Sequence, residues 1–264
     1  MPENLVPRLA ATVLALRDAA EGFEVLMLRR NLNSDFVGGA YVFPGGGVDP
    51  TDATPEAAAR TWDADDVAAS QRLDLDSGGL AFYVAALREL FEEAGLLVAC
   101  GPEGAPLALE DRALSARLSE YRRLVNAKEF RFFDVLERES IFLDIRGMAY
   151  LAHWVTPLGA PRRFDTRFFV VMTPEGQTAT HDAGETVADR WLRPREALDA
   201  HGRGEFMMIL PTIRTLESIA EYTSARDVLA YARNLSAVAR VEPRLVRRAG
   251  ETQILLPDDP DYGD

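Results

Sequence analysis

The chain has 264 residues, is 47% hydrophobic and carries a net charge of −13, enough apolar content for one large domain or a domain with additions. The acidic balance excludes a broad nucleic-acid surface, which needs clustered Lys and Arg, but leaves room for a small anionic substrate. The single cysteine, Cys100, excludes an intrachain disulfide, and no apolar run reaches membrane-spanning length, so a soluble cytoplasmic protein with no membrane partner is expected.

In chain order, strands are expected near 8–16 and 23–30, the second ending at Arg29 and Arg30. A third, near 39–44, is stopped by Pro44. Gly45, Gly46 and Gly47 follow, and glycine lets main-chain groups approach a ligand closely. Thr54 and Pro55 then open a helix in the manner of an N-cap with proline in the first turn, but residues 61–66 supply no ordered set of carboxylates and the helix breaks off.

A helix restarts near Leu80 and runs to Ala94, its apolar stripe made by Phe82, Val84, Leu87, Leu90 and Phe91. Gly95 stands where a left-handed stop belongs. Glu89, Glu92 and Glu93 are spaced i, i+3, i+4 and share one face. Taken alone, the three carboxylates fit either a solvated helix face with an Arg88–Glu92 pair or a site for a hard divalent cation. A strand, a glycine turn and a capped acidic helix in that order favour the cation.

A short strand at 96–99 and a loop at 101–106 precede a helix-like stretch from Leu107 to Leu136. Strands return at 149–156 and 166–172, with His153 and Trp154 read as core and Arg162, Arg163 and Arg167 as flanking cations. A polar loop leads to Glu185. Then come a strand at 187–192, helices at 194–201 and 210–222, a helix capped by Ser224 and a tail hairpin around Gly250. Three scattered histidines and one cysteine give no zinc-ligand spacing. The pattern is α/β, a mixed sheet between helices.

The segments Tyr41–Asp49 and Leu87–Leu96 together resemble the two halves of the Nudix box, Gly-x5-Glu-x7-Arg-Glu-U-x-Glu-Glu-x-Gly-U, where U is aliphatic. The resemblance is carried by Gly46, Asp52, Arg88, Glu89, Glu92, Glu93, Gly95 and Leu96. Two departures stand out. Asp52 occupies the position of the first Glu, and 35 residues rather than seven separate it from Arg88, an insertion of 28. An interrupted box is similar to that of the subgroup typified by the peroxisomal coenzyme A diphosphatase of mammals.

The resemblance implies a Nudix α/β/α sandwich with helical insertions over 1–222, the box at 45–96, the insertion at about 53–79, the helical addition at about 107–136, and a C-terminal helix and tail over 223–264. It also implies Mg2+- or Mn2+-dependent hydrolysis of a small-molecule diphosphate. Coenzyme A or acyl-CoA leads; ADP-ribose, NADH, a nucleotide sugar and a non-catalytic nucleotide-binding module are the alternatives. Glu92 and Glu93, helped by the Gly45 or Gly46 carbonyl, are the expected metal ligands. Glu89 is a ligand or base, Arg88 positions a carboxylate, and Glu185 is a base or further ligand. Arg29, Arg30, Arg163 and Asp52 are candidates for substrate binding, and a homodimer is allowed. The insertion and the helical addition are expected to shape substrate access.

Overall fold

A computed structural model describes residues 5–33, 37–107, 111–248 and 251–262. Ser34, Asp35 and Phe36 after the second strand, residues 108–110 near the start of the helix-like stretch, and Gly250 at the tail turn lie outside these.

The centre is a mixed eight-stranded sheet. Its middle strand is β1 (Arg8–Ala19), antiparallel to β2 (Gly22–Arg30) and parallel to β8 (Phe164–Met172). Beyond β8 lie β7 (Ala149–Val155) and then β10 (Arg240–Val241), which pairs with β7 in parallel. Beyond β2 lie β3 (Tyr41–Val42) and β9 (Thr186–Leu192). The glycine run is itself a strand, β4 (Gly45–Gly47), paired antiparallel with Ala10–Thr12 of β1. A Cβ on Gly45 would sit 2.5 Å from the Ala11 carbonyl, so only glycine allows this approach.

The sheet is covered on both faces, and β1 shows why. Ala11, Val13 and Ala15 point into one core and Leu14 and Leu16 into the other, the period-2 alternation of a strand buried on both sides. The first core is closed by α3 (Leu80–Ala94), with 13 buried residues, and by α4 (Arg112–Asn126) and α5 (Phe132–Arg138). The second is closed by α6 (Pro194–Gly202), α7 (Leu210–Ile219) and α8 (Ala225–Asn234). The result is an α/β/α sandwich. Helix α8, beyond the sequence boundary at 222, buries Ala225, Val228 and Ala232 in that second core. Among the described residues no helix is long and apolar enough to cross a membrane.

The stretch expected as one helix over 107–136 is two. Lys128 adopts φ 59°, a left-handed conformation that ends α4, and its N–H returns to the Val125 carbonyl. The insertion follows a short 3-10 turn (Pro50–Ala53) and contains α1 (Pro55–Ala59) and α2 (Asp66–Arg72). Helix α1 stops because the chain turns to pair with β6 (Phe142–Leu143): Leu143 N–H donates to the Arg60 carbonyl and Trp62 N–H to the Leu143 carbonyl.

Helix α2 supplies what α3 lacks, an N-terminal cap. Gly79 has no side chain, so the Asp66 carboxylate accepts from the N–H groups of Gly78 and Leu80, both at 2.9 Å, and Ser70 Oγ accepts from Gly79 N–H at 2.8 Å. A Cβ on Gly79 would collide with the Ser70 backbone. Asp66→Ala is therefore expected to cost about 1–2 kcal/mol and to lower Tm by a few degrees. An unchanged melt would show that the insertion does not support the acidic helix.

Candidate active site

The C-terminal half of α3 and strand β4 meet edge to edge. Arg88 organises the junction. It is 8% exposed, and its five N–H groups make five hydrogen bonds. Nε and Nη2 grip Asp52 bidentately at 2.8 and 2.9 Å, Nη2 also donates to the Gly47 carbonyl at 3.0 Å, and Nη1 donates to Glu89 at 2.8 Å and Glu92 at 3.2 Å. Such a fork fixes geometry as well as charge. Glu93, 4% exposed, accepts from Gly45 N–H at 3.0 Å. A Cβ on Gly46 would collide with the Glu89 carboxylate, so the glycine run also admits α3's side chains.

Burial pushes the three glutamates upward. Glu93 is raised well above the ordinary carboxylate range by desolvation and by Glu89, against the pull of Gly45 N–H. Glu92 is pushed up to about 7 by desolvation, with Arg88 opposing. Glu89 is raised by the same burial, again opposed by Arg88. The Arg88 guanidinium is held above its usual range: burial would lower it, but Asp52, Glu89 and Glu92 outweigh that.

An acid whose pKa rises on folding keeps its proton longer in the folded state than in the unfolded chain. Its penalty is absent below about pH 4 and grows as pH climbs toward the folded value. Asp165, Asp182 and Asp189 are shifted downward, so their contribution is already complete above about pH 5. Metal-free protein is therefore expected to lose Tm between about pH 5 and pH 8. Added Mg2+ should restore more at the upper end. A flat melting profile without metal would contradict the shifts.

The donor chemistry fits a hard divalent cation: three glutamates on one face, short of solvent and with a single arginine between them. Among the described residues no three acidic, His or Cys side chains already converge as a closed ligand set. Glu89 and Glu92 are turned onto Arg88, and Glu93 onto Gly45.

A cavity of about 800 Å³ opens beside this cluster. Its lining includes Gly45–Gly47, Glu89, Glu92, Glu185, Arg30 and Arg162, together with the apolar side chains of Trp154, Phe164, Phe168, Ile209, Leu210 and Ile254. Glu185 is carried by the loop before β9. The Asp182 carboxylate accepts from the N–H groups of Glu185 and Thr186, and the Glu185 carbonyl accepts from Asn31 N–H, which ties the loop to the end of β2. Arg30 faces the same space, and its buried Nε has no partner within the protein.

Three candidates lie elsewhere. Asp52 is 1% exposed and spent on Arg88 and on Asp49 N–H, so it faces no substrate. Arg163, 8% exposed, donates to the Thr156 and Leu5 carbonyls and pairs with Glu242. Arg29 is exposed above Tyr41 and does not line the cavity. Neither the insertion nor the helical addition lines it either: one caps α3, and the other grips its end through Arg122 and Asn126, which donate to the Glu92 carbonyl. The sequence reading missed the apolar wall. Its trace is the alternation of Phe164, Thr166 and Phe168 in β8, which puts three lining residues on one face.

Known proteins resemble this chain along most of its length. The NUDT19 Nudix domain matches residues 59–219, and the general NUDIX domain matches residues 6–62, ending inside the insertion. The acyl-coenzyme A diphosphatase NUDT19 of Gallus gallus is 29% identical over 91% of this chain and 74% of its own length. The Homo sapiens protein of that name is 29% identical over 92% and 73%. A crystal structure of a NUDIX hydrolase from Alicyclobacillus acidocaldarius superposes with a TM-score of 0.65 at 30% identity, covering 85% of this chain and 96% of that one.

Proposed function

From a chain that belongs to the Nudix hydrolase family, we propose an enzyme that splits the diphosphate of coenzyme A or acyl-CoA into 3′,5′-ADP and (acyl-)4′-phosphopantetheine. The observation that carries the substrate is the cavity itself, whose lining combines a carboxylate cluster and Arg30, a half-buried arginine whose Nε has no partner within the protein, with a set of apolar side chains. A diphosphate with an apolar extension matches both kinds of lining. The names of the NUDT19 relatives point to the same class.

Nudix hydrolases generally use divalent metal ions, and Mg2+ or Mn2+ suits these oxygen donors. Glu92 and Glu93 would hold the ion with a glycine-run carbonyl, most directly that of Gly46. When bound, the ion supplies charge neutralisation at the diphosphate and a more acidic water. Glu89, or Glu185 at the cavity mouth, takes the proton of the attacking water. The new P–O bond forms opposite the bridging oxygen as the bridging P–O bond breaks, so each product leaves as a phosphomonoester. Arg88 holds Glu89 and Glu92 apart and aimed. Arg30 is placed to clamp phosphate, its free Nε supplying a charge-assisted hydrogen bond.

The test is kcat/KM for CoA, butanoyl-CoA, ADP-ribose, NADH and a nucleotide sugar under Mg2+ and Mn2+. Preference for the CoA compounds supports the assignment. Preference for another diphosphate would keep the site chemistry and remove CoA. Tight binding of one compound without turnover would make the protein a binding module.

A further inference from the structure

The tail after α8 does not trail away from the body; it returns to the cavity. Strand β10 adds to the edge of β7, and the chain then passes through Glu242 and Pro243 into a hairpin of β11 (Arg244–Arg248) and β12 (Glu251–Leu255). Glu242 pairs with Arg163, which is buried beside the start of β8 and also holds the Thr156 and Leu5 carbonyls. Tyr262 Oη donates to the Glu242 carbonyl at 2.7 Å and its ring lies under Arg244. Pro243 and Ile254 thereby become cavity wall.

The side chains on the hairpin are unusual for a surface. Ile254 stands directly across from Leu245 in the register, so both project from one face. They remain 52% and 43% exposed, while Leu255, on the opposite face, is buried. Leaving two aliphatic side chains in water does nothing for folding. Ile254 is also one of the residues that line the cavity, with Trp154, Phe164, Ile209 and Leu210.

We infer that the C-terminal hairpin, pinned by the Arg163–Glu242 pair, completes the apolar wall of the substrate cavity through Ile254 and selects substrates by the acyl group they carry beyond the diphosphate. This rests on the CoA reading above and adds the segment that discriminates within that class. Arg163 thus has a role after all, as a positioning residue that holds the wall.

The experiment compares wild type, Ile254→Ser and Ile254→Trp on CoA, butanoyl-CoA and dodecanoyl-CoA. Ile254 is half exposed, so neither variant should disturb the fold, and a thermal melt checks that. Ile254→Ser is expected to lower the ratio of kcat/KM for dodecanoyl-CoA to that for free CoA about tenfold. Ile254→Trp should narrow the cavity and penalise dodecanoyl-CoA more than butanoyl-CoA. If both folded variants keep the wild-type chain-length profile, the hairpin is not the wall and the inference is wrong, while the CoA reading stands. If wild type cleaves none of the three but turns over another diphosphate, the CoA reading fails and the acyl-selecting role is overturned with it.

Discussion

Glu93→Gln should reduce kcat on the order of a thousandfold while leaving the protein folded. The amide oxygen can still accept from Gly45 N–H, the hydrogen bond that holds this side chain at 3.0 Å. What is lost is the charge. Glu93 sits buried at 4% exposure, where a carboxylate is held above its ordinary range by desolvation and by Glu89, and that stress is what a divalent cation relieves. The variant should therefore melt no lower than wild type without metal and gain far less from added Mg2+. Steady-state kinetics and paired melts measure both. Near-normal turnover in the variant would remove Glu93 from the metal site.

The second large effect is structural. Asp52→Ala would leave Arg88 buried with its bidentate partner gone, at an expected cost of about 3–5 kcal/mol and a fall in Tm of about 10 °C. Removing both charges, as in Asp52→Ala with Arg88→Met, should recover much of that stability, because the penalty belongs to the buried guanidinium left without its bidentate acceptor, with only Glu89, Glu92 and the Gly47 carbonyl remaining. It should not recover activity, because Arg88 also holds Glu89 and Glu92. Equal destabilisation of the single and double variants would mean that the pair itself, rather than the stranded arginine, supports the fold.

These two residues also show what a sequence can and cannot convey. Glu89, Glu92 and Glu93 were legible because helical spacing is local: three carboxylates at i, i+3 and i+4 share a face whatever surrounds them. Gly95 was legible for the same reason, and it does end α3 with φ 70°. Asp52 was misplaced because its partner lies 36 positions away along the chain. It was a candidate for substrate binding, whereas its carboxylate takes the guanidinium bidentately through Nε and Nη2. Arg163 and Arg30 look alike in sequence, each the second of an Arg–Arg pair near a strand end. Only the fold separates them: the returning tail covers one, and the other is left facing the cavity.

The insertion was recognised by its length but not by its purpose. Nothing in its sequence announces that Asp66 and Ser70 will cap a helix beginning at a glycine, since the capping groups come from a separate helix rather than from the preceding residue. The apolar wall was hidden in a related way. Trp154 reads as ordinary core, and it is core, but it also lines the cavity.

The central claim is hydrolysis of a diphosphate at the Glu89–Glu92–Glu93 cluster. Mass spectrometry of products formed from CoA in heavy-oxygen water, with Mg2+ and with excess chelator, tests it most directly. The account predicts 3′,5′-ADP and 4′-phosphopantetheine in equal amounts, with one heavy oxygen on a single product, and neither when the metal is removed. Intact CoA in both samples, or cleavage at the thiol or at the 3′-phosphate, would contradict it.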